Sequence, residues 1–350
     1  MPLKNYLFLD MVRFAWTSLA ILLSWGAFAQ IGGTALGSSL RVTMAPRMAG
    51  MGGNLYADPS GDVNVALINP AGLDSNLHGR AALNVVNYMA DMDFVQGVYA
   101  HQIKPRITLA AGFSHFGFGD FTEADENGNI TGAFSASDDI FHVSAGYQPF
   151  ENWVFGSQIK VLLSQYAAYA STALVTDWAV RYHHPEKRFS ATLVARNLGW
   201  QVSRFHTARE KTPGQLDFAM SGRLEHMPLR WHFTWEHLQR FDLTFIDPND
   251  PTVDPLTGDP IDNSISFAGK ALRHVVAGVE LFTEKKFNLR LGYNFRRQAE
   301  LGLDDIRTSA GLNFGFGMRI KGIQFDYARS VYHFSGASNQ FGLSYHFINQ

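Results

Sequence analysis

Apolar and polar residues alternate with a period of two through most of the chain. In "FNLRLGYNF", Phe287, Leu289, Leu291, Tyr293 and Phe295 take the odd positions, and Asn288, Arg290, Gly292 and Asn294 the even ones. Successive side chains of an extended chain point to opposite faces, so this stretch has one wholly apolar face and one that carries a guanidinium. Leu229, Trp231, Phe233 and Trp235 alternate in the same way with Arg230, His232, Thr234 and Glu236, and Phe341, Leu343, Tyr345 and Phe347 alternate with Gly342, Ser344 and His346. The pattern predicts strands near 79–89, 93–102, 106–119, 138–148, 152–165, 171–183, 188–199, 214–226, 229–242, 271–283, 286–298, 307–319, 322–333 and 337–348.

That makes fourteen segments, an even number, and most are long enough to cross a bilayer at a tilt, which takes about 9 to 11 residues. A soluble sandwich would show the same local alternation with its apolar face to the core. The connections separate the two. Those after even-numbered segments are tight, around Lys104-Pro105, Pro149-Phe150-Glu151, 184–187, Met227-Pro228, Glu284-Lys285 and Lys321, whereas the longer ones, 120–137, 200–213 and 243–270, fall in the other set. Short turns at one end and longer loops at the other mark an outer-membrane barrel, with the short side in the periplasm. The predicted fold class is therefore all-β: a 14-stranded antiparallel transmembrane β-barrel. Parity then sends Arg230, Glu236, Glu280, Arg290, Arg296 and Arg319 to the lumen, where none incurs the roughly 2–4 kcal/mol that a basic residue costs on the lipid face. Gathered in a lumen, these charges would pair with one another or with water.

The N-terminus changes the setting. Lys4 and Arg13 precede an apolar run over 14–25, and Ala27-Phe28-Ala29 supplies a small-x-small cleavage pattern, so residues 1–29 read as a signal peptide for export. No later stretch of 18 consecutive apolar residues offers a helical span. Between signal and barrel, 30–75 is too long for a leader and too irregular for a strand; with its glycine turns and Asp58 and Asp62 it is expected to tuck into the barrel as a hatch or plug. The barrel itself is assigned to 76–350.

Composition adds exclusions. With Lys+Arg 29 against Asp+Glu 31, the chain lacks the concentrated positive charge of a nucleic-acid binder. The absence of Cys removes disulfides, thiolate metal sites and a Cys nucleophile.

Candidate chemistry is sparse. The loop 247–263 holds Asp247, Asp250, Asp254, Asp259 and Asp262 among four prolines on the predicted outer side. It is a candidate docking surface for a partner; a calcium site is less favoured, because the spacing is not that of an EF-hand, and Asp-Pro is ordinary turn chemistry. "HHPEKR" at 183–188 has two His and a Glu but no third His nearby, and reads as a tight turn. His226, His232 and His237 with Glu225 and Glu236 suggest a hydrolase only superficially: 232 and 237 would face opposite sides of one strand, and no nucleophile elbow is present. No catalytic residue, metal site or cofactor is expected, and the protein reads as a non-enzyme.

"INPAGL" at 68–73, just before fourteen strands, resembles the fatty-acid-transporter (FadL-like) family of outer-membrane barrels, whose N-terminal segment forms a lumenal hatch. The resemblance implies hatch roles for Asn69, Pro70 and Gly72. Within that group the chain is similar to the PorQ-type barrels of the type IX secretion system, through "RMAGMGGN" (47–54), "GAFSASDD" (132–139), "VARNLG" (194–199), "PLRWHFTWEHLQRFDL" (228–243), "RHVVAGVE" (273–280) and "LRLGYNFRRQAELG" (289–302). Where PorQ-like chains tend to read NPALL, this one reads "NPAGL", the transporter-like form. The closer resemblance implies a surface anchor for PorZ in an attachment complex with the sortase PorU and with PorV. The broader one implies a transporter of hydrophobic small molecules. Both place the protein in the outer membrane, against lipid.

Overall fold

The period-two segments form fourteen strands, each hydrogen-bonded to its sequence neighbours, and the last closes onto the first. They run β1 Arg80–Asn87, β2 Asp93–Lys104, β3 Ile107–Ala124, β4 Ile130–Phe150, β5 Trp153–Tyr166, β6 Tyr169–His184, β7 Phe189–Ser203, β8 Gln215–Arg223, β9 Leu229–Trp235, β10 Val275–Leu281, β11 Phe287–Asn294, β12 Leu312–Ile320, β13 Ile323–His333 and β14 Gly336–His346. Closure is antiparallel, with Leu83 opposite Leu343. The computed structural model describes residues 36–347 apart from 59, 91, 185, 187, 206–208, 245–263, 303–308 and 334–335.

The burial pattern settles which face is which. In β11 the apolar positions are outward, Leu291 being 51% exposed, while the polar partner Arg290 is 3% exposed. A soluble sheet would reverse this. Phe141, Val143, Ile159, Trp178, Phe314 and Leu343 continue the outward apolar surface around the barrel, as a wall solvated by hydrocarbon requires.

Two pairs of strands depart from the sequence reading. β3 and β4 run well past the predicted limits and pair as far as Ala124 and Ile130, so most of the predicted loop 120–137 is an extended hairpin, with Phe121 stacked on Phe134. On the opposite side of the barrel the strands are shorter than predicted. β9 stops at Trp235 because His237 takes a left-handed backbone (φ 57°) that no strand accommodates. β11 stops at Asn294, whose side-chain oxygen accepts the backbone N–H of Arg297 and caps a helix, α3 (Phe295–Leu301); two earlier helices are α1 (Pro46–Gly50) and α2 (Phe267–Leu272). Glu236 and Arg296 therefore lie beyond their strands, and strand parity is not what orients them. Nor does parity separate His232 from His237: both are buried, and the His237 backbone N–H donates to Asp217.

The core sits inside the barrel. One apolar cluster joins Met48, Met51, Leu55, Tyr56, Val65 and Leu67 to Val98, Ala110 and Val194 of the wall. A second, toward the end that bears the longer connections, joins Leu36, Leu40 and Met44 to Val86, Phe94, Phe116, Ile140 and Leu162.

Candidate functional site: the filled lumen

The segment before β1 supplies both clusters. It folds as short 3₁₀ turns at Ser38–Arg41, Val63–Leu67, Pro70–Gly72 and Ser75–Leu77 around α1. Three of these turns begin in the same way, with the side chains of Asp62, Asn69 and Asp74 each accepting the backbone N–H two residues on. Local capping of this kind satisfies backbone groups that no sheet can reach.

Glycines on the wall make room for this backbone. A methyl group added at Gly156 would overlap Pro70 and Ala71, one at Gly146 would overlap Leu73, and one at Gly292 would overlap Met51 and Gly52. These contacts come from β5, β4 and β11, so the segment is gripped from well-separated parts of the wall.

Charge completes the seat. Arg47 donates to Glu280 through Nε (3.0 Å) and Nη2 (2.8 Å), a two-pronged contact, and its other amine meets Asp58. Glu280 also receives Arg290 Nε at 2.9 Å and Arg230 at 3.3 Å, and Arg290 lies 2.7 Å from Asp326. One carboxylate thus serves three guanidiniums, with Asp58 and Asp326 sharing the charge. Elsewhere Arg181 holds Asp74 (2.6 Å), Arg196 donates to the Tyr56 hydroxyl (2.7 Å), Ser39 donates to Asp138 (2.6 Å), and Asn54 donates to Glu236 (2.9 Å), which Arg296 approaches at 3.4 Å. Lys160 and Asp177 pair within the wall at 2.8 Å.

The structure thus brings Arg230, Glu280 and Arg290 into one network, puts Glu236 with Arg296 in a second, and leaves Arg319 apart at the short-turn end, where it donates to Gln324 (3.0 Å). Asn69 is fully buried and donates to the Tyr56 carbonyl at 2.7 Å; Pro70 and Gly72 are buried with it. Asp247, Asp250, Asp254, Asp259 and Asp262 lie outside the described residues. Among the described residues no cluster of His, Asp and Glu is arranged to hold a metal. Sequence reasoning did not single out Arg47, Lys160, Asp177 or Arg196. The last three sit at polar positions of alternating strands and were open to the same parity reading.

The two ends of the lumen differ. Toward the longer connections, Tyr88, Met92, Phe118 and Phe205 pack partly buried on the second apolar cluster. There Lys270 donates to Asp242 (2.6 Å) and holds its carboxyl well below the usual carboxylate range. At the short-turn end a polar cavity of about 460 Å³ opens between residues 60–63 and the strands β8 to β14 and β1.

No protein-family model matches the sequence, and no curated protein does. Among solved structures, a FadL homologue from Pseudomonas aeruginosa superposes with a TM-score of 0.50 at 12% identity, covering 91% of this chain and 100% of that one. The Pseudomonas putida toluene transporter TodX gives 0.46 at 13% identity, over 86% and 96%. The chain has the fold of a FadL-like outer-membrane β-barrel, here with the lumen filled by its own N-terminal segment.

Proposed function

We propose that this protein is a non-enzymatic outer-membrane barrel that serves as a surface anchor, in the manner implied by its resemblance to PorQ-type barrels: a seat for a PorZ-like partner beside the sortase PorU and PorV. The observation that carries this reading is the filled lumen. Residues 44–57 and 63–73 are almost wholly buried, and ion pairs at Arg47 and at Asp74, just after them, tie the segment to the wall. A body packed in this way suits a rigid support. Partner contact would then fall to the longer connections, including 236–274 and the β3–β4 hairpin.

A second reading, transport of hydrophobic small molecules, has the better support from the solved structures, whose FadL-like fold this chain shares, and draws also on the aromatic cluster at the long-loop end. In that reading Asn69, Pro70 and Gly72 form a gate that must move.

Affinity capture of the tagged full chain from outer membranes in mild detergent, followed by protein and lipid mass spectrometry, separates the two. Recovery of a large exported protein together with a sortase supports the anchor. A barrel recovered alone, with a hydrophobic molecule in stoichiometric amount, supports transport. Shortening the loop 247–263 is expected to leave the barrel folded and weaken partner recovery; unchanged recovery would remove that loop from the interface.

Asn69→Ala deletes both a turn cap and a buried hydrogen bond, and is expected to cost about 1–3 kcal/mol. The thermal transition of the purified barrel reads this directly. No shift would mean that the 68–73 turn is held by packing alone.

A further inference from the structure

The cavity at the short-turn end is unusual for its charge. Six arginines line it: Arg47, Arg80, Arg223, Arg230, Arg290 and Arg319. Against them stand Asp62, Glu280 and Glu284 on the lining, with Asp58 and Asp326 behind. Four of these carboxylates are engaged, and Asp62 keeps one oxygen, Oδ2, buried without a hydrogen-bond partner. Arg47, Arg230 and Arg290 share Glu280, Asp58 and Asp326, Asp62 lies 3.9 Å from Arg47, and Glu284 is held by Arg223.

Arg80 and Arg319 are left over. Among the described residues neither has a carboxylate within ion-pair distance. Arg80 donates only to the Gly61 carbonyl (3.0 Å) and Arg319 only to the Gln324 amide oxygen (3.0 Å). Unpaired guanidinium nitrogens lie behind the lining: Arg80 Nε, Arg223 Nε and Nη2 of Arg290, whose side chain is 0% exposed, are buried without partners. Sheet register brings the two free cations to one mouth. Arg80 pairs with His346 of β14, Ser344 of β14 pairs with Gln324 of β13, and Gln324 pairs with Arg319 of β12. Three strand spacings of about 4.8 Å, with an offset of two residues along β14, put their backbones roughly 16 Å apart, and both long side chains reach the same cavity.

We propose that this cavity binds a phosphate-class oxyanion between Arg80 and Arg319, with Arg223 beside them. Two guanidinium forks converging from different strands suit a tetrahedral anion, which can accept a fork on each of two edges, whereas a carboxylate presents a single planar edge. The cavity exceeds the volume of inorganic phosphate, so a phosphomonoester headgroup of a lipid in the periplasmic leaflet is a second source of the same chemistry. The inference needs only the barrel and is independent of whether the protein anchors a partner or transports a solute.

The test uses the full chain in phosphate-free dodecyl maltoside, titrated calorimetrically with inorganic phosphate and, separately, examined by native mass spectrometry with added dioleoyl phosphatidic acid. Arg80→Gln with Arg319→Gln is expected to weaken binding of the effective probe by roughly tenfold or more, the worth of at least one charge-assisted hydrogen bond. Arg80→Lys with Arg319→Lys should retain part of it. Lys104→Gln, which removes a cation from a short turn outside the cavity, should change nothing. Heat-modifiable migration on gels verifies that each variant is folded. Binding of both probes identifies the phosphate group alone as the determinant, and binding of phosphatidic acid only identifies a lipid site. If neither probe binds the unaltered chain, or if the Gln pair binds as well as the original, the assignment is wrong.

Discussion

Replacing Glu280 with alanine is expected to destabilise the barrel by about 3–5 kcal/mol, the cost of breaking a buried ion pair from one side. Glu280 is 2% exposed and accepts from Arg47, Arg230 and Arg290 together. Its removal leaves three guanidiniums with only Asp58, Asp62 and Asp326 to divide among them. The effect should far exceed that of Glu284→Ala, whose carboxylate stands at the rim with 64% of its side chain exposed. Taking out Arg47 and Glu280 together, as Arg47→Leu with Glu280→Leu, should cost less than the two single changes added, because the charge stranded by each single change is then absent. The measurement is the urea midpoint for loss of the folded band in detergent. A Glu280→Ala midpoint equal to that of the original chain would show that water, and not the ion network, carries those charges.

The same network shows what could be read in advance. Strand parity assigned Arg230, Glu280 and Arg290 a common direction, because a period of two is rigidly tied to the two faces of a sheet. It had no hold on Arg47 and Asp58. Arg47 reaches Glu280, and Asp58 reaches Arg230, from a segment with no period, across separations of 233 and 172 residues that only the barrel closes. Parity also assumed unbroken strands. At Trp235 and Asn294 that assumption failed, since a left-handed His237 and an Asn294 cap end β9 and β11 early. Glu236 and Arg296 nevertheless meet, one just past the end of β9 and the other in α3, a contact that tertiary packing produced and the local pattern did not contain. Strand number and the sorting of turns, by contrast, were legible because lipid on one side and a filled lumen on the other constrain every residue of the wall.

Gly156→Val and Gly146→Val test whether the lumenal segment is separable from the barrel that holds it. Each valine would overlap the backbone of 70–73, at Pro70 and Ala71 in one case and at Leu73 in the other, and a backbone cannot rotate aside as a side chain can. The wall has no such obstacle to closing: β4 and β5 pair through Gly146 and Gly156 by main-chain hydrogen bonds that valine preserves. The double variant is therefore expected to fold as a barrel with 68–73 displaced. The buried Asn69–Tyr56 bond of that turn would be lost with it, and the donation of Ser144 and Gln158 to Ala66, just before the turn, would be strained. Limited proteolysis should then cut within the segment, and ion conductance across planar bilayers should rise well above that of the original chain. Gly214→Ala, which meets only ordinary contacts, serves as the comparison. Increased conductance with an intact heat-modifiable barrel would mean that the segment is a removable closure, which gives the transport reading a physical route. If the variant fails to fold, the segment is part of the barrel's own core, and the lumen is a permanent support, as an anchor requires.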